Sequence, residues 1–367
     1  MKNQEHNLDV LVVGGGPAGT TAALTLLRHS SLKVAVIENT DYTNVRVGET
    51  VSPSLLTVLR YLGLESQFMK DGHLPAYGID AAWGNSRIFS RDFLFTGQGN
   101  GWHLDRGVFD YMLAKKVCKK GGLLFTSTRI LSQKQDENKQ WQITALTKDD
   151  MKIKINANFV IDATGKKASF ARKLGTKWKI HDNLVGVVGF YERGLQQKNQ
   201  HSMIIESAPD GWWYSSPLPK NRMIVVFMTD SDICRNIRVQ DNWNNLIAKT
   251  NHIKKTIDSK LSSLVKIYSA YSHVIKQNNH SNWIPTGDAA ASFDPLSSLG
   301  IGHAMTSAIH AAKIAHEQLT YGHNLISNYL KDIVDSFNHY LERRKYYYNA
   351  EKRWSQRPFW KRRLESY

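Results

Sequence analysis

The stretch Asp9-Val10-Leu11-Val12-Val13-Gly14-Gly15-Gly16-Pro17-Ala18-Gly19 decides how the rest of the chain is read. Four consecutive apolar residues, Val10 to Val13, suit a strand buried on both faces. Residues 20–28 then carry apolar side chains at helical spacing, and Val34-Ala35-Val36-Ile37 makes a second apolar run closed by Glu38. Between the two runs, Gly14, Gly16 and Gly19 hold the three positions of a dinucleotide fingerprint. They serve a tight turn, a close backbone approach to pyrophosphate, and helix–strand packing. Pro17 and Ala18 start the helix, whose N-terminal end attracts an anion. Glu38 closes the second strand where a carboxylate can accept hydrogen bonds from ribose hydroxyls.

Outward from this βαβ unit, Pro53 starts a helix carrying Leu55, Leu56, Val58 and Leu59, and residues 76–100 read as short strands and turns. A helix is expected over 109–119 and strands over 123–128 and 141–146. A strand over 159–162 runs into Ala163-Thr164-Gly165. Residues 176–275 change character, with strand-like runs at 184–191, 201–206 and 223–229 and one polar helical stretch at 243–261. Residues 283–288 then look like a buried strand ending in a turn, and 302–319 is alanine-rich at helical spacing. The expected class is α/β: a discontinuous Rossmann-like domain (1–75, 101–175, 276–325), an inserted, mainly antiparallel sheet forming a substrate domain (76–100, 176–275), and a C-terminal helical, basic and aromatic tail (326–367).

With 367 residues, 41% of them hydrophobic and 10% aromatic, the chain can bury a large core. The polar start MKNQEHNLD and the lack of any apolar run of about 18 residues predict a soluble, cytoplasmic protein without a membrane role. Two cysteines, Cys118 and Cys234, make neither a disulfide framework nor a metal site. A net charge of +16 attracts phosphate, acidic protein surfaces or anionic lipid without choosing among them. Trp354, Phe359 and Trp360 in the basic tail are expected to pack back on the body rather than to bind nucleic acid.

A second element lies far from the first: Thr286-Gly287-Asp288-Ala289-Ala290, then Asp294-Pro295-Leu296-Ser297-Ser298-Leu299-Gly300. With Asp162-Ala163-Thr164-Gly165 and the opening glycines, it resembles the two-domain flavin monooxygenases. That resemblance implies FAD, with Asp288 at its ribose and pyrophosphate end, Pro295 in the segment beside the isoalloxazine ring, and the Gly300 and Ile301 amides near reduced flavin. Arg46-Val47-Gly48-Glu49, the Trp102 to Asp110 run with Arg106, and Gly211-Trp212-Trp213-Tyr214-Ser215-Ser216-Pro217 are similar to segments of the halogenase-like branch. The resemblance implies that Arg46 and Arg106 also serve the cofactor, and that Glu49, with Arg46 paired to it or to the flavin, orients substrate or shuttles a proton. Trp83, Trp212 and Tyr214 would line an aromatic pocket.

Departures redirect the expected chemistry. Tryptophan halogenases carry a lysine between the Gly-Glu segment and a tryptophan-containing strand, but no lysine lies from Asp71 to Ala114 here; Ser297 stands where they place a glutamate, and Tyr214 replaces the second signature tryptophan. The pattern is most similar to the LodB/GoxB-like flavoproteins, which act on tryptophan in amino-acid oxidase precursors during cysteine tryptophylquinone formation. This implies an FAD-dependent monooxygenase using molecular oxygen and either NAD(P)H or a separate flavin reductase. The alternatives are a small-molecule flavin hydroxylase, halogenase or prenyl reductase, and a non-catalytic flavin-fold protein that matures a partner by binding. His103 and His303 are candidates to titrate near neutrality, with no step assigned to either.

Overall fold

The computed structural model describes residues 4–194, 200–277 and 281–365. Residues 1–3, 195–199, 278–280 and 366–367, which the expected domain boundaries also span, lie outside the described residues. The fold is α/β, with C-terminal helices. In the first sheet Leu123–Phe125, Val34–Ile37, Gln4–Val13 and Lys152–Asp162 lie side by side in parallel. The far edge of Lys152–Asp162 is shared. Its first half pairs antiparallel with Trp141–Leu146, while Val160 to Asp162 pair in parallel with Trp283–Pro285.

That sharing positions the site. Val13, Asp162 and Pro285 end adjacent strands, so the turns that follow them open along one carboxyl edge, where α/β sheets bind ligands. The turns are tied together by Ala163 N–H donating to Val13 O (2.8 Å) and Thr286 N–H donating to Asp162 O (2.8 Å). The helix Pro17–His29 packs against Gly300–Tyr321 through small residues: Ala22 and Ala23 share a fully buried cluster with Ala308, Ala311, Ala312 and Ala315.

The second sheet runs in the order Lys266–Ser269, Leu184–Glu192, Arg222–Asp230, Gly211–Leu218, Met203–Ala208, Gly78–Ala82, Phe89–Asp92. Its described pairings are antiparallel except that between Met203–Ala208 and Gly78–Ala82. Strand alternation sorts the aromatic run Trp212-Trp213-Tyr214 between the faces. Trp213 stacks on Phe227 (4.5 Å between ring centroids) over Trp243, while Trp212 and Tyr214 face the first sheet's side of the molecule.

Several elements depart from expectation for local reasons. The helix expected at 109 begins at Arg106 because the Asp105 carboxylate caps Val108 N–H (3.3 Å). The strand expected to reach 128 stops at Phe125, since Ser127 turns with φ 47°. The polar helix splits into Val239–Ala248 and a short turn, Ile253–Thr256. At the break the Glu206 carboxylate takes three successive amides, of Asn251, His252 and Ile253 (2.6–3.0 Å). The helix Ile326–Asn349 lays Tyr329, Phe337 and Tyr340 on the first domain's core and Tyr348 on the second sheet's, where Phe359 and Trp360 join it. Among the described residues, no helix is long and apolar enough to cross a membrane.

Candidate active site

A cleft of about 890 Å³ runs between the two sheets and is lined from both. At one end lie Gly14, Gly16, Pro17, Ala18 and Glu38; Asp288, Pro295, Gly300 and Ile301 line it from the other segment. The two distant sequence elements therefore share one cavity, and a Cβ on Gly287 would stand 2.9 Å from that of Ala18. Gly14 has φ +107°, and a Cβ there would fall 2.2 Å from Ala163 O, so only glycine brings the turn this close. Gly19 lies behind the cleft, where a Cβ would meet Gly14 O at 1.8 Å; it serves packing.

The donors and acceptors fit a dinucleotide cofactor. Both helices that open on the cleft, Pro17–His29 and Gly300–Tyr321, lack a side-chain N-cap, which leaves first-turn amides for an anion. The Asp288 carboxylate accepts no hydrogen bond from any described residue, and burial pushes its carboxyl above the usual range, against the opposing pull of Lys166 and Arg106. A desolvated acceptor of this kind suits sugar hydroxyls. Glu38 is held by Gly15 N–H (2.7 Å), by Thr40 through its N–H (3.0 Å) and hydroxyl (2.6 Å), and by Arg46 (3.2 Å).

Arg46 lines the cleft at this end. The expected pairing of Arg46 with Glu49 is not what the structure shows: its guanidinium donates to Asp110 (2.8 Å), Thr40 (2.8 Å) and Glu38 (3.2 Å) and lies over the Tyr42 ring. Gly48, with φ +91°, reverses the chain between them. The arginine that serves Glu49 is Arg106, which binds Asp110 and donates to the carbonyls of Val47 (2.6 Å) and Gly48 (2.9 Å). It pins the loop that carries Glu49.

Glu49 is 4% exposed and reaches the cleft beside Trp212 and Tyr214. Burial pushes its carboxyl up, opposed by the Gly48 N–H (2.7 Å), the Tyr214 hydroxyl and the Arg106 charge. Burial likewise pushes the Tyr214 phenol well above its ordinary value, and the Glu49 charge adds to this, so the phenol remains a donor. His103 joins the two walls. Its Nδ1 lies 3.0 Å from the Thr50 hydroxyl, next to Glu49, and 2.9 Å from the Ser216 hydroxyl, two residues along the strand from Tyr214. Burial drops His103 to about 4, and His303 likewise, so neither titrates near neutrality as the sequence suggested.

Trp83 does not line the cleft. Its indole N–H donates to Tyr347 O (2.7 Å) and its ring packs edge-on against Trp212, Tyr348 and Trp360, so it backs the wall instead of forming it. A residue the sequence reading passed over does line it: Lys166, whose ammonium donates to Tyr271 O (2.7 Å) and the Ser292 hydroxyl and lies over the Tyr271 ring. Burial pulls its pKa down while Asp288, Asp182 and Asp294 oppose the shift. Its only sequence signal was a place just after Asp162-Ala163-Thr164-Gly165.

A family described as an FAD binding domain matches residues 7–332. The chain belongs to this FAD-binding family. It is 32% identical over 363 residues to LodB of Marinomonas mediterranea, described as an FAD-dependent oxidoreductase, covering 98% of this chain and 97% of LodB. Two solved structures share the fold: the flavin-dependent halogenase CmlS (TM-score 0.86, 21% identity, 99% of this chain and 68% of that one) and the peptidyl tryptophan dihydroxylase QhpG, essential for tryptophylquinone cofactor biogenesis (TM-score 0.80, 22% identity, 97% and 78%). This FAD-binding protein is thus an FAD-dependent oxidoreductase of the halogenase-like fold.

Proposed function

We propose that the protein hydroxylates a tryptophan side chain of a partner polypeptide, an amino-acid oxidase precursor, during tryptophylquinone formation. The observation that carries this reading is the buried Glu49–Tyr214 pair beside the Trp212 ring in the flavin cleft. An indole presents one N–H donor and two π faces, and this wall offers one carboxylate acceptor among aromatic rings. The similarity to LodB over nearly the whole of both chains supports the reading, as does the fold shared with QhpG.

In this reading Gly14, Gly16, Pro17, Ala18, Glu38, Arg46, Asp288, Pro295, Gly300 and Ile301 hold FAD, and Arg106 acts through the loop it pins. Bound FAD, reduced by NAD(P)H or by a separate reductase, supplies the activated oxygen. Glu49 accepts the indole N–H, which raises electron density on the ring and receives the proton as the ring is attacked. Tyr214 orients that carboxylate, and the cleft walls exclude water. Arg46, committed to Glu38 and Asp110, has no proton-transfer role.

The test is mass spectrometry of a candidate amino-acid oxidase precursor co-expressed with and without this protein. The expected result is a gain of one or two oxygen atoms on a tryptophan, present only with the intact protein. An unmodified tryptophan in both samples refutes the proposal.

A further inference from the structure

We infer that the substrate polypeptide docks by adding itself, as an extended acidic strand, to the outermost strand Lys266–Ser269; this rests on the reading that the substrate is a tryptophan within a protein. Among the described residues the strand pairs with Leu184–Glu192 alone, so one of its backbone edges has no ladder partner there. Ala270 N–H donates to Leu184 O (2.9 Å), and the ladder continues from Val185↔Ser269 to Val188↔Lys266. Alternation in an antiparallel ladder then points the N–H and C=O groups of Ile267 and Ser269 away from the sheet, as a template for another strand.

This edge adjoins the chemistry. Tyr268, Ser269 and the following Ala270 line the cleft, with Gly186 and Val188 beside them. Side chains of an extended segment alternate in direction. A tryptophan turned into the cleft therefore leaves both neighbours facing out, and backbone pairing fixes its register without reading the flanking side chains. Hydroxylation of one side chain in a polypeptide needs such a grip.

The edge pairing shows no bulge and no proline interrupts it; what guards it is its four-residue length and the Lys266 charge, and an acidic strand neutralises that charge. Ile267 (46% exposed) and the preceding Leu264 (87%) leave apolar surface beside it. Lys266 on the strand and Lys260 shortly before it are exposed, on a chain of net charge +16, so an acidic segment complements this edge. The opposite edge, Phe89–Asp92, is just as exposed, but none of its residues lines the cleft.

The test uses the full chain loaded with FAD and a synthetic capped peptide with a central tryptophan flanked by alternating glutamate and threonine. Amide hydrogen exchange should show protection within 266–270 on peptide binding and none at 89–92. Ile267→Pro removes an outward N–H without touching the ladder to Leu184–Glu192, so the flavin spectrum should persist while peptide affinity falls about tenfold. The double change Lys260→Glu and Lys266→Glu should also weaken binding, and the loss should shrink at high salt. Protection at 89–92, protection nowhere in 261–270, or unaltered affinity in Ile267→Pro overturns the docking edge. The two readings fail separately. Docking without oxygen gain on the peptide leaves the edge standing and removes hydroxylation; oxygen gain on a capped single tryptophan, with no protection by the peptide, does the reverse.

Discussion

Replacing Tyr348 by phenylalanine removes one oxygen atom from a buried relay that joins the two lobes. The Tyr348 hydroxyl donates to Asp294 Oδ2 (2.7 Å) and accepts from Trp212 Nε1 (3.0 Å); the three residues are 0%, 1% and 1% exposed. The ring packs beside Trp83, Phe359 and Trp360, and phenylalanine keeps that shape. Two losses remain: a hydrogen bond to a charged acceptor, worth about 1.5–3 kcal/mol, and a stranded indole N–H costing about 1–3 kcal/mol. The expected destabilisation is about 3–5 kcal/mol, at the upper end for a single substitution. Urea unfolding of the two proteins at equal slope measures it. Because Trp212→Phe removes the same donor, the double variant should cost clearly less than the sum of the singles. A Tyr348→Phe loss below about 1 kcal/mol, with unchanged slope, refutes the relay.

Other outcomes follow from the cleft. Lys166→Met should weaken FAD affinity about tenfold and Lys166→Arg should restore part of it, since the buried ammonium faces Asp288 and the anionic cofactor's cleft; equal affinities by flavin fluorescence titration would remove Lys166 from the site. Glu49→Gln should lose most oxygen transfer while FAD affinity stays put. Because burial holds the Glu49 carboxyl above its unfolded value, its contribution to stability is present at low pH and lost as pH rises through the folded value. The Gln variant should therefore gain stability over the parent as pH climbs, and parallel stability curves would count against this. His73, His103, His273 and His303 are each dropped to about 4 by burial. The unfolded chain protonates them near 6.5, so their contribution is complete above that value and disappears as pH falls toward 4. Circular dichroism should show cooperative acid unfolding in that window, and a flat response there contradicts the assignment.

What could be read from the chain alone was the part that backbone geometry dictates. Gly14 and Gly19 tolerate no Cβ, so the fingerprint is a steric requirement and survives translation into three dimensions. Trp212 and Tyr214 share a face because a strand alternates, which spacing reveals. The partner of Arg46 was not legible. Proximity to Glu49 in sequence suggested a pair, but Arg46 turns to Glu38, Thr40 and Asp110 while Glu49 is held by Gly48 N–H, and Asp110 lies 64 residues away. Lys166 and Lys167 read alike as surface charge, and both line the cleft; only the turn after Asp162, held by its bonds to Thr164 and Ala171, makes Lys166 the more buried of the two, bonded to Tyr271 O and the Ser292 hydroxyl. Trp83 fell outside the pocket because its position depends on the C-terminal helices, whose docking no local pattern encodes.

Those helices also settle what the basic tail does. Arg344 pairs with Asp182 and Asp294, Arg353 with Glu351, Arg357 with Asp210, Arg362 with Asp230 and Asp232, and Arg363 with Asp230. All five are ion-paired, Arg344 and Arg363 in buried positions and Arg357 and Arg362 nearer the surface. Arg363 is 4% exposed and lies over the Phe359 and Tyr348 rings, where its charge is desolvated and its pairing with Asp230 is required. The tail packs back on the body as an arginine and aromatic clamp closing the second sheet. Cutting the chain before Tyr348 would uncover Trp212 and Asp294 together, so such a truncation would report on the cleft wall rather than on any surface the tail presents.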